Sequence, residues 1–192
     1  MLENVMEKRG FSLKLKMTVK SCVSVGLVVL AVLLPQLVHL ALGQSGGVQW
    51  LPMYLPVLIA GCILGWKWGL AVGVSSPIVS FLITSAWDSP MPALARLPFM
   101  IAELAVFAVV SGLFTKKIAV NGWMAFPAVL LAQVSGRAFF LLLVTVFQSV
   151  SPLTSKIVWG QIQAGFVGII LQAVVVPFII MGLRKLLDRE EK

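Results

Sequence analysis

Apolar residues fill the chain in six runs, at about 19–42, 52–65, 68–86, 95–115, 123–147 and 157–183, with short polar, glycine- or proline-bearing joints between them. A helix crossing a hydrocarbon core of about 30 Å needs about 20 apolar residues. The second run, "LPMYLPVLIAGCIL", falls short of that and ends at Trp66-Lys67-Trp68. Fusing it with the third run gives five spans and leaves Lys67 in mid-bilayer, at a cost of about 2.5–3.5 kcal/mol. Keeping the two apart gives six.

The basic residues choose between these readings. With six spans, Lys8, Arg9, Lys14, Lys16, Lys20, Lys67, Lys116, Lys117, Arg184, Lys185, Arg189 and Lys192 fall on one side; Arg96, Arg137 and Lys156 are the rest of the 15. Positive charge collects on the cytoplasmic side of membrane proteins. The expectation is a single all-α membrane domain over 1–192 with six transmembrane helices and both termini cytoplasmic. It has a basic leading segment (1–18) and a short tail (184–192). No cleavable leader is expected, because the first run lacks a small-residue cleavage site.

Within the short second helix, Pro52 suits a first turn, where its missing N–H costs nothing. Pro56 frees backbone carbonyls, which hydrocarbon tolerates only beside protein or a polar cavity. Gly61, Gly65, Gly69 and Gly73 recur every four residues, a spacing that lets helix backbones approach closely.

Composition agrees: 59% of residues are hydrophobic and 11% charged, against roughly 25% charged in an average soluble domain. The net charge of +8 reflects orientation rather than nucleic-acid binding, because the cations sit at the ends of apolar runs. Cys22 and Cys62 lie inside such runs, and with one histidine no metal set is available; no cofactor is expected.

Few ionisable or amide residues remain inside the runs, and they gather toward one side. Counted at ~1.5 Å per residue, Glu103 lies roughly 12 Å and Arg137 roughly 15 Å below the outer ends of their helices. Two such groups at matching depth are expected to pair or to line one polar cavity. Gln133 is one turn from Arg137 on the same face, and Gln161 punctuates the last run. Arg96 and Trp87 belong to the outer loop "SAWDSPMPALARLP", while His39, Trp50 and Tyr54 crowd the first outer junction. Each has a plain structural reading, such as an interfacial anchor or a snorkelling cation. Their concentration favours a pocket open to the exterior. Catalysis is not expected. The single histidine has no nucleophile context, aspartates occur only at Asp88 and Asp188, and there is no phosphate-binding loop.

The blocks "LPQLVHLALGQSGGVQWLPMYLPVLIAGCILGWKWGLAVGVSSPIVSFLIT", "MPALARLPFMIAELAVFAVVSGLF" and "GFVGIILQAVVVPFII" resemble, in order and spacing, the substrate-binding S component of energy-coupling factor (ECF) vitamin importers of Gram-positive bacteria. The resemblance implies a plasma-membrane protein whose outer loops and helix ends enclose a small vitamin. It further implies partners: a transmembrane coupling subunit and two cytoplasmic ATPases. Relatives dock through small residues four apart on the first helix; here Cys22 and Gly26 keep that spacing and Leu30 breaks it. Where relatives read "PMHIP", this chain reads "PMYLP", with Tyr54 in place of histidine. Under this reading Glu103, Arg137, Arg96, Trp50, Tyr54, Trp87, His39, Gln133 and Gln161 are the substrate-binding candidates. A structural or assembly protein of the envelope and a lipid-modifying membrane enzyme are the other readings of the residues alone.

Overall fold

The computed structural model describes residues 1–8, 10–147 and 153–189. Among these the regular elements are all helical: α1 (Leu2–Lys8), α2 (Leu13–Trp50), α3 (Tyr54–Leu64), α4 (Trp66–Ser85), α5 (Leu97–Leu113), α6 (Thr115–Val120), α7 (Ala125–Phe147), α8 (Ser155–Ala164) and α9 (Phe166–Arg189). Five stretches are long and apolar enough to cross a membrane: Leu13–Gly43, Trp66–Ser85, Leu94–Leu113, Gly122–Phe147 and Phe166–Leu186. Their outer faces are greasy, with Leu33, Leu37 and Leu40 of α2 all exposed. Such surfaces are stable in lipid and not in water, so this is a multi-pass helical membrane protein.

The short second run is a separate helix. Gly65 takes φ 91°, ψ 172°, a conformation suited to glycine, and breaks the chain between α3 and α4. Lys67 then lies exposed in the first turn of α4. At 11 residues α3 is roughly 16 Å long, about half a span. Ten of those 11 are buried, Pro56 among them, so α3 is the core around which α2, α4, α5 and α9 pack.

What precedes α3 differs from a simple loop. Gly43 (φ 69°, ψ −169°) interrupts α2, and the chain turns again at Leu51 (φ 50°). Pro35 and His39 of α2 share a cavity with Leu51–Tyr54, so the segment after Gly43 doubles back beside the helix it came from. Gln172 of α9 fixes this return: its Nε2 donates to the carbonyls of Trp50 (3.1 Å) and Leu51 (2.8 Å). A second difference lies in the last run, expected to be continuous over 157–183. It is divided at Gly165 into α8 and α9. Thr154 caps the start of α8, accepting from the Ile157 N–H at 3.4 Å.

The bundle thus has two ends. The Lys67 end carries the Gly65 break, α6 and the C-terminal half of α9. The Arg96 end carries the fold-back, the 86–96 loop and α8. Packing at the Lys67 end is close. A Cβ on Gly73 would stand 2.8 Å from the Leu104 carbonyl oxygen, and one on Gly112 2.5 Å from the Trp66 Cα. The Thr115 hydroxyl bridges the carbonyls of Gly61 (2.9 Å) and Gly112 (2.7 Å). Of the four periodic glycines, Gly61, Gly69 and Gly73 make such backbone approaches; Gly65 instead supplies the break.

Candidate functional site

Three helices bring one side chain each to the centre of the Arg96 half. Tyr54 opens α3, held in place by the fold-back before it. Glu103 lies on the second turn of α5, and Arg137 at the middle of α7. The Tyr54 hydroxyl donates to Glu103 Oε2 at 2.7 Å. Arg137 Nη1 approaches Glu103 Oε1 at 2.9 Å, off the line of a hydrogen bond, and the guanidinium carbon stands 4.8 Å from the centre of the Tyr54 ring. Phe107, one turn beyond Glu103, packs edge-on to Tyr54 with ring centres 5.1 Å apart. Gly136 leaves the room that Phe107 fills: a Cβ there would meet its ring.

All three polar residues are buried: Glu103 is 1% exposed, Tyr54 4% and Arg137 8%. A lone carboxylate or guanidinium in that position is very unfavourable, and mutual attraction offsets the desolvation only when the remaining donors are also satisfied. Here they are not. Arg137 Nε and Nη2 have no hydrogen-bond partner among the described residues.

Gln133, one turn before Arg137, repeats the pattern. Its Nε2 donates to the Ile169 carbonyl at 3.1 Å, and since a carbonyl only accepts, this fixes which way the amide points. Gln133 Oε1 is left buried without a donor.

The Tyr54–Glu103–Arg137 group stands between two cavities. The first, of about 220 Å³, lies at the fold-back; His39, Tyr54, Ser80, Met91 and Arg96 are among its lining residues. That is room for about seven waters. Its loop wall is anchored at Met91, whose N–H donates to the Thr84 hydroxyl (2.8 Å) and whose carbonyl accepts from Ser80 (2.8 Å). The second cavity, of about 390 Å³, lies between α7, α8 and α9. Arg137 and Gln133 line it, its walls are otherwise apolar, and its rim residues Leu130, Val134, Trp159 and Phe166 are exposed. Arg96, on the wall of the first, donates through Nη2 to Gln161 Oε1 of α8 at 2.6 Å.

Of the nine candidates read from the sequence, Tyr54, Glu103, Arg137 and Gln133 form one cluster. Arg96 and Gln161 meet each other, and His39 lines the smaller cavity with its Nε2 unpaired. Two stand apart. Trp87 is 70% exposed and lines neither cavity. Trp50 contributes its carbonyl to Gln172 and lines neither of these two cavities. Sequence reasoning did not select Trp159 and Phe166, because an aromatic residue in an apolar run carries no mark of what it lines. Ser80 was equally anonymous, since its partner is a backbone carbonyl 11 residues away.

Among the described residues no group of three His, Cys, Asp or Glu is placed to hold a metal ion. No curated protein and no solved structure gives a significant match to the chain. A family model does: that of the ECF transporter, substrate-specific component, matches residues 22–180.

Proposed function

The chain belongs to the ECF transporter substrate-specific component family, and from that premise we propose that it captures a vitamin or similar micronutrient outside a Gram-positive-type plasma membrane. A membrane coupling subunit and two cytoplasmic ATPases then drive the delivery inward. In this reading the Arg96 end faces out, α3 with its fold-back acts as a sixth crossing element, and both termini are cytoplasmic. The asymmetry of the cations supports that orientation. The family is one of transport components, and no enzymatic step is assigned.

One observation carries the binding site: a buried ion pair whose cation keeps two unpartnered nitrogens, flanked by two cavities. A purely structural clasp between α5 and α7 would be more stable with those donors satisfied or replaced by apolar groups. A ligand that accepts from them accounts for their retention. The ligand lies around Tyr54, Glu103 and Arg137, with Arg96, Gln161 and His39 nearby and Trp50 and Trp87 outside its immediate shell.

The test is thermal stability of the detergent-purified chain against a panel of B vitamins and their precursors. A compound at a hundred times its Kd should add about 2.7 kcal/mol. That gain should vanish in Arg137→Met with Glu103→Gln, a pair change that removes both charges together. If no compound stabilises the wild type, while this double variant itself fails to fold, the group is a clasp and the envelope structural reading replaces this one.

A further inference from the structure

The cavity between α7, α8 and α9 offers almost nothing polar. Arg137 and Gln133 line it, but their unpaired atoms are buried out of its reach. We infer that this groove is a lipid site, filled by one acyl chain of an anionic phospholipid whose headgroup meets Lys156. Its occupancy does not depend on what Tyr54, Glu103 and Arg137 bind.

The dimensions fit one chain of one leaflet. Leu130, Val134 and Leu141 of α7 form one wall, and Trp159, Phe166 and Ile169 of α8 and α9 form the other. Counted from Gly122 at the Lys67 end, Leu130 stands roughly 12 Å and Leu141 roughly 28 Å along the span. A hydrocarbon core is about 30 Å thick, so the groove runs through the leaflet on the Arg96 side, from its surface to just past the midplane. Leu130, Val134, Trp159 and Phe166 are exposed, which opens the groove sideways onto the greasy surface of the bundle. Left empty, about 390 Å³ of apolar space forfeits dispersion contacts along its whole lining, and water finds no polar partner there. A bilayer chain enters it from the side without crossing water.

Charge selects the headgroup. Lys156 precedes Trp159 by three residues on α8, so it continues the stripe that lines the groove, one turn nearer the surface of that leaflet. Trp159 beneath it has the ring type that prefers the membrane–water boundary. Of the three cations at this end, Arg96 bonds Gln161 and Arg137 faces Glu103. Lys156 is exposed and makes no ion pair among the described residues. A flexible ammonium at the mouth of an apolar groove complements a phosphate-bearing head above an apolar tail, and favours a head of net negative charge over a zwitterionic one.

Photolabelling of the full chain in nanodiscs tests this. The probes are phosphatidylglycerol and phosphatidylcholine, each with a diazirine on one acyl chain, and labelled residues are located by mass spectrometry. Both lipids should label 130–141 and 159–169 above the exposed Leu33, Leu37 and Leu40 of α2, and phosphatidylglycerol should do so about fivefold more than phosphatidylcholine. Lys156→Gln, a change at an exposed position, should erase that preference. Ala138→Phe, which fills the groove from an exposed position on α7, should bring both lipids down to the α2 level without lowering the Tm. Groove labelling no greater than that of α2 means bulk lipid only and overturns the lipid site. Equal labelling by the two lipids, or a preference that survives Lys156→Gln, overturns it as an anionic phospholipid site. Two copies crosslinked through the groove make it a self-interface instead. Loss of the label on adding a compound of the vitamin panel overturns the lipid site and gives the groove to the cargo; the other outcomes leave the cargo reading standing.

Discussion

At the Lys67 end the hydroxyls buried between α3, α4 and α5 bond to carbonyls. Ser111 reaches the Phe107 carbonyl at 2.7 Å, and Thr115 spans Gly61 and Gly112. Glycines bring the α3, α4 and α5 backbones into contact. At the Arg96 end, beside the bonded hydroxyls of Ser80 and Thr84, lie a carboxylate, a guanidinium and an amide with bonding capacity left over, and a cavity on each flank. Both ends lie in the same apolar environment, so hydrophobicity does not separate them. The difference is whether the bonding capacity of buried groups is used up internally. Where it is, the helices are fixed; where it is not, the protein keeps capacity for something that is not itself.

The sharpest way to break this contrast is to force the closed end open. Gly112→Val puts side-chain carbon against the Trp66 and Gly65 backbones, which cannot yield without moving α4. The expected loss exceeds about 4 kcal/mol, the range of exceptional single lesions. Size-exclusion chromatography in detergent should show little folded protein. Next comes Arg137→Met, which leaves Glu103 buried without its cation. About 3 kcal/mol should be lost. Adding Glu103→Gln should restore most of the Tm while leaving any ligand response absent, because stability and binding then separate. If the double variant is as unstable as the single, the ion pair holds the helices together in its own right.

Smaller changes sharpen the comparison. Thr115→Val removes one hydroxyl from a satisfied site and should cost about 1 kcal/mol with no effect on ligand binding. Gln133→Leu removes one used and one unused bond together, so unfolding stability should stay within about 0.5 kcal/mol of wild type. Ligand affinity should nonetheless fall, as isothermal titration would show. An equal effect on both quantities would mean the Gln133 amide belongs to the frame.

Much of this arrangement is legible before folding. Counting rise per residue placed Glu103 and Arg137 at one depth, and in the structure they meet at 2.9 Å, because helix length is nearly invariant in hydrocarbon. Lys67 between two tryptophans marked the break that Gly65 makes, since a mid-bilayer cation is so unfavourable. The fold-back was not legible. It depends on positive φ at Gly43 and Leu51 and on Gln172 finding carbonyls more than 120 residues away, and neither leaves a pattern in hydropathy. Nor was the division at Gly165, because α8 is apolar enough to extend a span while its Gln161 turns toward Arg96. Trp87 lies next to clustered polar residues in sequence yet lines neither of the two cavities described.

The Gln172 contacts have a consequence for how this scaffold can change over generations. Both of its hydrogen bonds end on main-chain oxygens, which every amino acid possesses, so the clasp holding the fold-back is blind to the side chains it carries. Substitutions at Leu51, Met53 or Tyr54 therefore alter what the cavity offers without releasing the segment that bears them. Under the proposed function, a lineage could retune its cargo one residue at a time, passing only through ancestors that still fold.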